Sequence, residues 1–127
     1  MTTLASVGSI HRAFGWYAVG IMAIIGIWGL TLAVVKREPG RSFWAGFAVA
    51  TVAVVSQVGL GTYALSVEGV DPGNQHVFYG VVIMFTLAFA YIYRAQFAKR
   101  PGLSYGLLAL FLMGLGMRAI SNFGQYF

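Results

Sequence analysis

Cysteine is missing altogether from this chain of 127 residues. That absence excludes disulfides, thiolate metal sites, iron–sulfur clusters and covalent c-type haem attachment. Acids are scarce as well. Glu38, Glu68 and Asp71 are the only three, and none falls inside a long apolar run. A transporter built on a transmembrane carboxylate relay therefore has no relay to use. Hydrolytic chemistry lacks a convincing set of nucleophile, base and orienting acid, so an independent enzyme is not expected. The only prolines, Pro39, Pro72 and Pro101, sit in turn sequences: Glu38-Pro39-Gly40, Asp71-Pro72-Gly73-Asn74 and Pro101-Gly102.

What is abundant is apolar side chain. The chain is 59% hydrophobic and 9% charged, with a mean hydropathy of +0.79, far from the balance of a soluble domain. A bilayer core takes about 20 helical residues per crossing. The turn sequences divide the chain into four such runs, at about 11–35, 43–65, 75–97 and 103–120. The expectation is an all-α integral membrane protein: one four-helix bundle spanning 1–127, with the lipid bilayer as its solvent. The last run reaches full span only by continuing through Arg118, whose guanidinium can snorkel to the interface.

The net charge of +5 is read through its positions. Lys36, Arg37 and Arg41 occupy the first loop, while Arg94, Lys99 and Arg100 flank the third. The loop between the second and third spans holds Glu68 and Asp71 without Lys or Arg. The positive-inside rule then predicts an N-out/C-out topology, in a membrane such as the bacterial plasma membrane. With the basic residues spent on topology, no basic, aromatic-studded surface remains for nucleic acid. The N-terminus lacks a basic n-region and a small-residue cleavage site, so the first span is expected to be retained.

The only two histidines, His11 and His76, open the first and third spans, and the up-and-down path returns both to the outer side. Each is followed four residues later by glycine, at Gly15 and Gly80, and residues four apart share a helical face. Such a face leaves room for a flat ring. A haem held between two helices needs one neutral imidazole from each. Along the first face lie Phe14, Gly15, Ala18, Met22, Ile25, Gly26 and Gly29. The second span adds Gly46, Ala50, Ala53, Gln57, Gly61 and Ala64, in which Gln57 is a membrane-buried amide in need of a partner. Arg12 and Arg118, the outer basic residues, are placed to meet haem propionates, Glu68, Asp71 or lipid phosphate. The bland alternative is two solvated or capping histidines. A zinc or copper site from His11, His76, Glu68 and Asp71 is a further alternative.

In order, His11-Arg12 opening a helix, Gln57-Val58-Gly59-Leu60-Gly61 in the next, and His76 opening the third resemble helices of one half of the haem A synthase family. The resemblance covers about the first two-thirds of the chain and implies that His11 and His76 are axial ligands of a b-type haem near the outer face. This chain departs from the family in having one bundle instead of two, and Gly8 where the family has a carboxylate about three residues before the first histidine. The family's oxidative chemistry is accordingly not expected. The layout also looks like the four-helix b-type cytochromes, but two histidines allow one bis-histidine haem per chain at most. Gly114-Leu115-Gly116-Met117-Arg118-Ala119-Ile120 is similar to a segment of small uncharacterised actinobacterial membrane proteins, which implies a lineage and no activity.

Two functions follow as expectations. One is a single-haem b-type membrane protein that transfers electrons or holds haem, with His11 and His76 as iron ligands and Gly15, Gly80, Gln57, Arg12 and Arg118 around them. The other is a non-catalytic accessory subunit of a respiratory or photosynthetic membrane complex, binding lipid or pigment and contacting other subunits or further copies of itself.

Overall fold

A computed structural model of the chain describes residues 7–127. Among these residues there is helix and no strand. Helix α1 runs Val7–Val34, α2 Arg41–Ser66, α3 Asn74–Ile92, the single turn α4 Arg94–Phe97, and α5 Pro101–Ser121. The four long helices are each long and apolar enough to cross a membrane.

The helix ends follow local chemistry. At the start of α1 the two carboxylate oxygens of Glu68 accept the N–H groups of Val7 and Gly8, each at 2.9 Å. An anion there answers donors that a helix start leaves unpaired. Lys36, at φ 58°, ends α1 in the left-handed turn that lets Arg37 N–H reach back to the carbonyl of Leu32 at 2.9 Å. Pro101 takes the first position of α5, where its missing N–H costs nothing. Inside the spans the hydroxyls of Thr31, Thr51, Thr62 and Thr86 donate to the carbonyl four residues back. These hydroxyls thus find partners in their own helix.

The third span departs from expectation. A continuous helix over 75–97 is not formed: α3 stops at Ile92, Tyr93 turns the chain at φ −96°, ψ 22°, and α4 follows as a separate turn. The rings of Phe89 and Tyr93 pack across this break with centroids 4.4 Å apart and planes tilted by 32°. Among the described residues the first span is already helical at Val7, earlier than expected, with the Glu68 carboxylate accepting the Val7 and Gly8 N–H groups.

Helices pack in the order α2, α1, α5, α3, with α1 against α5 the most extensive pairing. Glycine makes that seam close. A Cβ at Gly29 would lie 2.9 Å from the Cα of Gly106, and one at Gly106 would lie 2.8 Å from the backbone N of Leu30. The backbones themselves are in contact, which is how small residues join membrane helices when water exclusion does not drive them together. Nearby, Phe43 is fully buried in an aromatic cluster with Trp28, Trp44 and Phe47. Only 11% of the most apolar stretch of α3 is buried, and Phe85 is 71% exposed. Large apolar side chains thus face outward on α3.

α2 and α3, the two ends of this row, do not pack along each other. The row curls around a cavity of about 650 Å³ lined from all four long helices.

Candidate functional site

The cavity lies at the end of the bundle that carries both histidines. His11 on α1 and His76 on α3 approach with ring centroids 6.0 Å apart and planes at 88°. The common face expected for the two is therefore realised, and both rings line the cavity.

His76 is held by its far nitrogen. Its Nδ1 lies 2.6 Å from the backbone carbonyl of Ala119 on α5. A carbonyl can only accept, so Nδ1 carries the proton, and in the neutral ring Nε2 keeps a lone pair. Phe123 packs against the same ring at 5.3 Å, edge to face. This is how metal-binding imidazoles are oriented by an outer carbonyl.

His11 is held differently. Its backbone carbonyl accepts from the Nε2 of Gln57 on α2 at 2.9 Å, so the lone amide of α2 is satisfied by a neighbouring helix. The His11 ring lies over Gly61, where an added Cβ would stand 2.9 Å from Cε1 and 3.2 Å from Nε2. Its Nδ1 is buried and has no hydrogen-bond partner among the described residues.

The glycines one turn on from the histidines, Gly15 and Gly80, both line the cavity. Gly15 meets Gln57 and Ile120 at ordinary distances of 3.5 and 3.6 Å, and Gly80 faces open space. Gly61 is the glycine that makes room for a histidine. The sequence shows it on the Gln57 face, four residues on, but not which ring would fill its place. The carbonyl of Ala119 and the ring of Phe123 leave no sequence signal, because a backbone acceptor carries no residue identity. Phe14, expected on the inner face, is 53% exposed.

The charged groups separate. Arg12 lines the cavity, whereas Arg118 does not. Its Nη2 donates to the Tyr79 hydroxyl at 3.2 Å, and its guanidinium stands 5.7 Å from the Tyr79 ring centroid. Glu68 is engaged at the α1 start. Asp71 accepts from the Tyr126 hydroxyl and from Gly73 N–H at 3.0 Å. A metal site shared by the histidines and these acids is thus not formed, and no cluster of three or more His, Cys, Asp or Glu occurs among the described residues.

The segment 122–127 closes the histidine end. Gly124 N–H donates to the Pro72 carbonyl at 2.6 Å and Gln75 N–H to the Gln125 carbonyl at 3.2 Å. Phe127 N–H donates to Asn74 Oδ1 at 2.8 Å. Gly73, at φ +85°, has no room for a Cβ against the backbone of Gly124 and Gln125, so its glycine is required twice over. The Tyr126 hydroxyl, followed by the Gly73 N–H, holds the Asp71 carboxyl below its ordinary range. The same bond pushes Tyr126 up.

The donors at the cavity that could hold a metal or a haem are the two imidazoles. Their centroids stand 6.0 Å apart with planes at 88°, a spacing of the order that two imidazoles sharing one metal ion need for bonds of ~2 Å, and the Nε2 side of the His11 ring is turned toward Gly61. The cavity walls are apolar, Gly80 opens into free space, and one imidazole nitrogen lacks a partner. No protein family matches the chain, and no curated protein and no solved structure is significantly similar to it.

Proposed function

We propose that this chain is a small b-type haem protein of the membrane, holding one haem with His11 and His76 as axial ligands and serving electron transfer or haem holding. The observation that carries the reading is the meeting of the only two histidines, 6.0 Å apart, in one apolar cavity. The haem, when bound, supplies a one-electron couple. The protein's part is positional. The Ala119 carbonyl keeps the His76 proton on Nδ1 and leaves Nε2 for iron. Gly61 gives the His11 ring its place, and Gln57 ties the His11 backbone to α2. The short haem A synthase-like motifs of the sequence support the same reading.

In this reading the basic end of the bundle faces the cytoplasm of a bacterial plasma membrane, and the haem lies near the outer leaflet. Val7 and Phe127 stand at the histidine end, which supports an outward-facing side for that end; residues 1–6 lie outside the described residues. Among the described residues no carboxylate lines the cavity, and Arg12 is the charged side chain on its wall.

The test is an oxidised and dithionite-reduced absorption spectrum of the protein purified gently from its own membrane, with a pyridine haemochrome count. A b-type spectrum near one haem per chain, lost in His11→Ala and in His76→Ala, is expected. A colourless protein, or haem retained when both histidines are replaced, refutes the reading.

A second reading rests on a different observation: Phe14, Trp16 and Tyr17 are 53–68% exposed beside the histidine end, and the α2–α3 edge is unpaired. It makes the chain an accessory subunit of a larger membrane complex or of a homo-oligomer. Co-purification with fixed stoichiometry supports it, and a stable solitary species in mild detergent opposes it.

A further inference from the structure

A second groove lies away from the histidines, on the outer side of α3 and α5. Its volume is about 720 Å³, within the range of small-molecule sites. Two rails bound it, each built from residues one helical turn apart. Phe85 and Phe89 on α3 are 71% and 58% exposed, and Leu107 and Phe111 on α5 are 52% and 55% exposed. Phe97 of α4 and Ser104 of α5 also line it. The groove asks for almost no hydrogen bonding: the Thr86 hydroxyl that borders it is already spent on the Val82 carbonyl at 2.7 Å. Whatever lies along the rails is therefore hydrocarbon.

Charge is concentrated beside it. Phe97 and Ser104 bracket the α4–α5 turn, which carries Lys99 and Arg100. Neither side chain forms an ion pair or hydrogen bond among the described residues, and both are exposed. Arg94, by contrast, is engaged with Tyr91, whose carbonyl accepts from it at 2.8 Å and whose ring it overlies at 4.3 Å. Glu68 and Asp71 are at the opposite end of the bundle, and Glu38 sits in the first loop among Lys36, Arg37 and Arg41. A hydrocarbon groove whose lining residues Phe97 and Ser104 flank a turn bearing two exposed cations matches one kind of molecule: an amphiphile with an anionic head.

We infer that the α3–α5 groove is a site for an anionic phospholipid, its phosphate at Lys99 and Arg100 and an acyl chain along Phe85, Phe89, Leu107 and Phe111. The inference does not depend on haem, since it uses no residue of the histidine cavity except the shared edge at Phe85. Attraction of a surface cation for anionic lipid corresponds to about fivefold in affinity for each charge.

The experiment is native mass spectrometry of the detergent-solubilised protein titrated with dioleoyl phosphatidylglycerol or dioleoyl phosphatidylcholine. Preferential binding of phosphatidylglycerol is expected, with its affinity lowered about 25-fold in Lys99→Gln/Arg100→Gln and little changed in Lys36→Gln/Arg37→Gln. Equal binding of the two lipids overturns the inference, and so does an equal loss in the two double variants. A second measurement does not rely on removing charge. In Phe111→Trp the new indole sits in the groove wall, and brominated-chain phosphatidylglycerol should quench its fluorescence more than the brominated choline lipid does. Equal quenching also overturns the inference.

Discussion

Replacing Gly106 by alanine tests the packing that shapes the whole bundle. The new Cβ would stand 2.8 Å from the backbone N of Leu30 and 3.1 Å from the Gly26 carbonyl oxygen. Ordinary contact begins at 3.4 Å, so α1 and α5 must separate by about 0.6 Å. The obstructing atoms are backbone and cannot swing aside as a side chain would. A radial gap of that size forfeits roughly a quarter or more of the attraction between facing atoms, and overpacking of this kind costs about 1–3 kcal/mol. In lipid no water exclusion offsets the loss, because helix association rests on the packing itself. Reversible unfolding by SDS in mixed micelles, followed by tryptophan fluorescence, measures the change. Gly114→Ala is the matched control: nothing lies within 4 Å of its Cβ position, and alanine's better helix propensity, up to ~1 kcal/mol in water, leaves it neutral or slightly stabilised. Gly29→Ala should behave like Gly106→Ala, and the double variant should cost less than the two together, since one separation accommodates both methyls. Gly106→Ala no more destabilised than Gly114→Ala would refute the close backbone seam.

Other outcomes follow from the histidine end. Gly61→Ala should displace the His11 ring, whose Cε1 would be 2.9 Å from the methyl; in the haem reading it broadens or shifts the reduced absorption band, whereas Gly15→Ala leaves it unchanged. Gln57→Leu removes one interhelical hydrogen bond and should cost about 0.6 kcal/mol by the same SDS titration. Docking of 122–127 should depend on pH at both extremes. Asp71 is lowered, so its contribution is complete above the ordinary carboxylate value of ~3.9 and is lost as pH falls through the lower folded value. Tyr126 is raised, so its contribution is complete below ~10 and is lost as pH rises through the higher folded value. Hydrogen exchange of Gly124 and Phe127, corrected for intrinsic rates, should show constant protection between and loss outside these limits, and Tyr126→Phe should lower protection across the whole window.

The four long apolar helices were legible in the sequence because a bilayer demands length and apolarity, and both are local properties. So was the pairing of His11 with His76: helix starts two crossings apart return to one side of a bundle. What composition cannot carry is contact. The break at Tyr93 lies inside a run that reads as continuous. That Gly61 faces the His11 ring was not legible, because only the crossing of α1 and α2 decides which glycine meets an imidazole. The Ala119 carbonyl that holds His76, and the tail that brings Phe123 onto it, depend on how α5 lies against α3. The sequence by itself determined four helices long and apolar enough to cross a membrane and the end at which the histidines stand. The tertiary structure decided which backbone atoms touch them, where the row of helices stays open, and how much space is left inside. Those are sums over neighbours from distant parts of the chain, and no single stretch of sequence contains them.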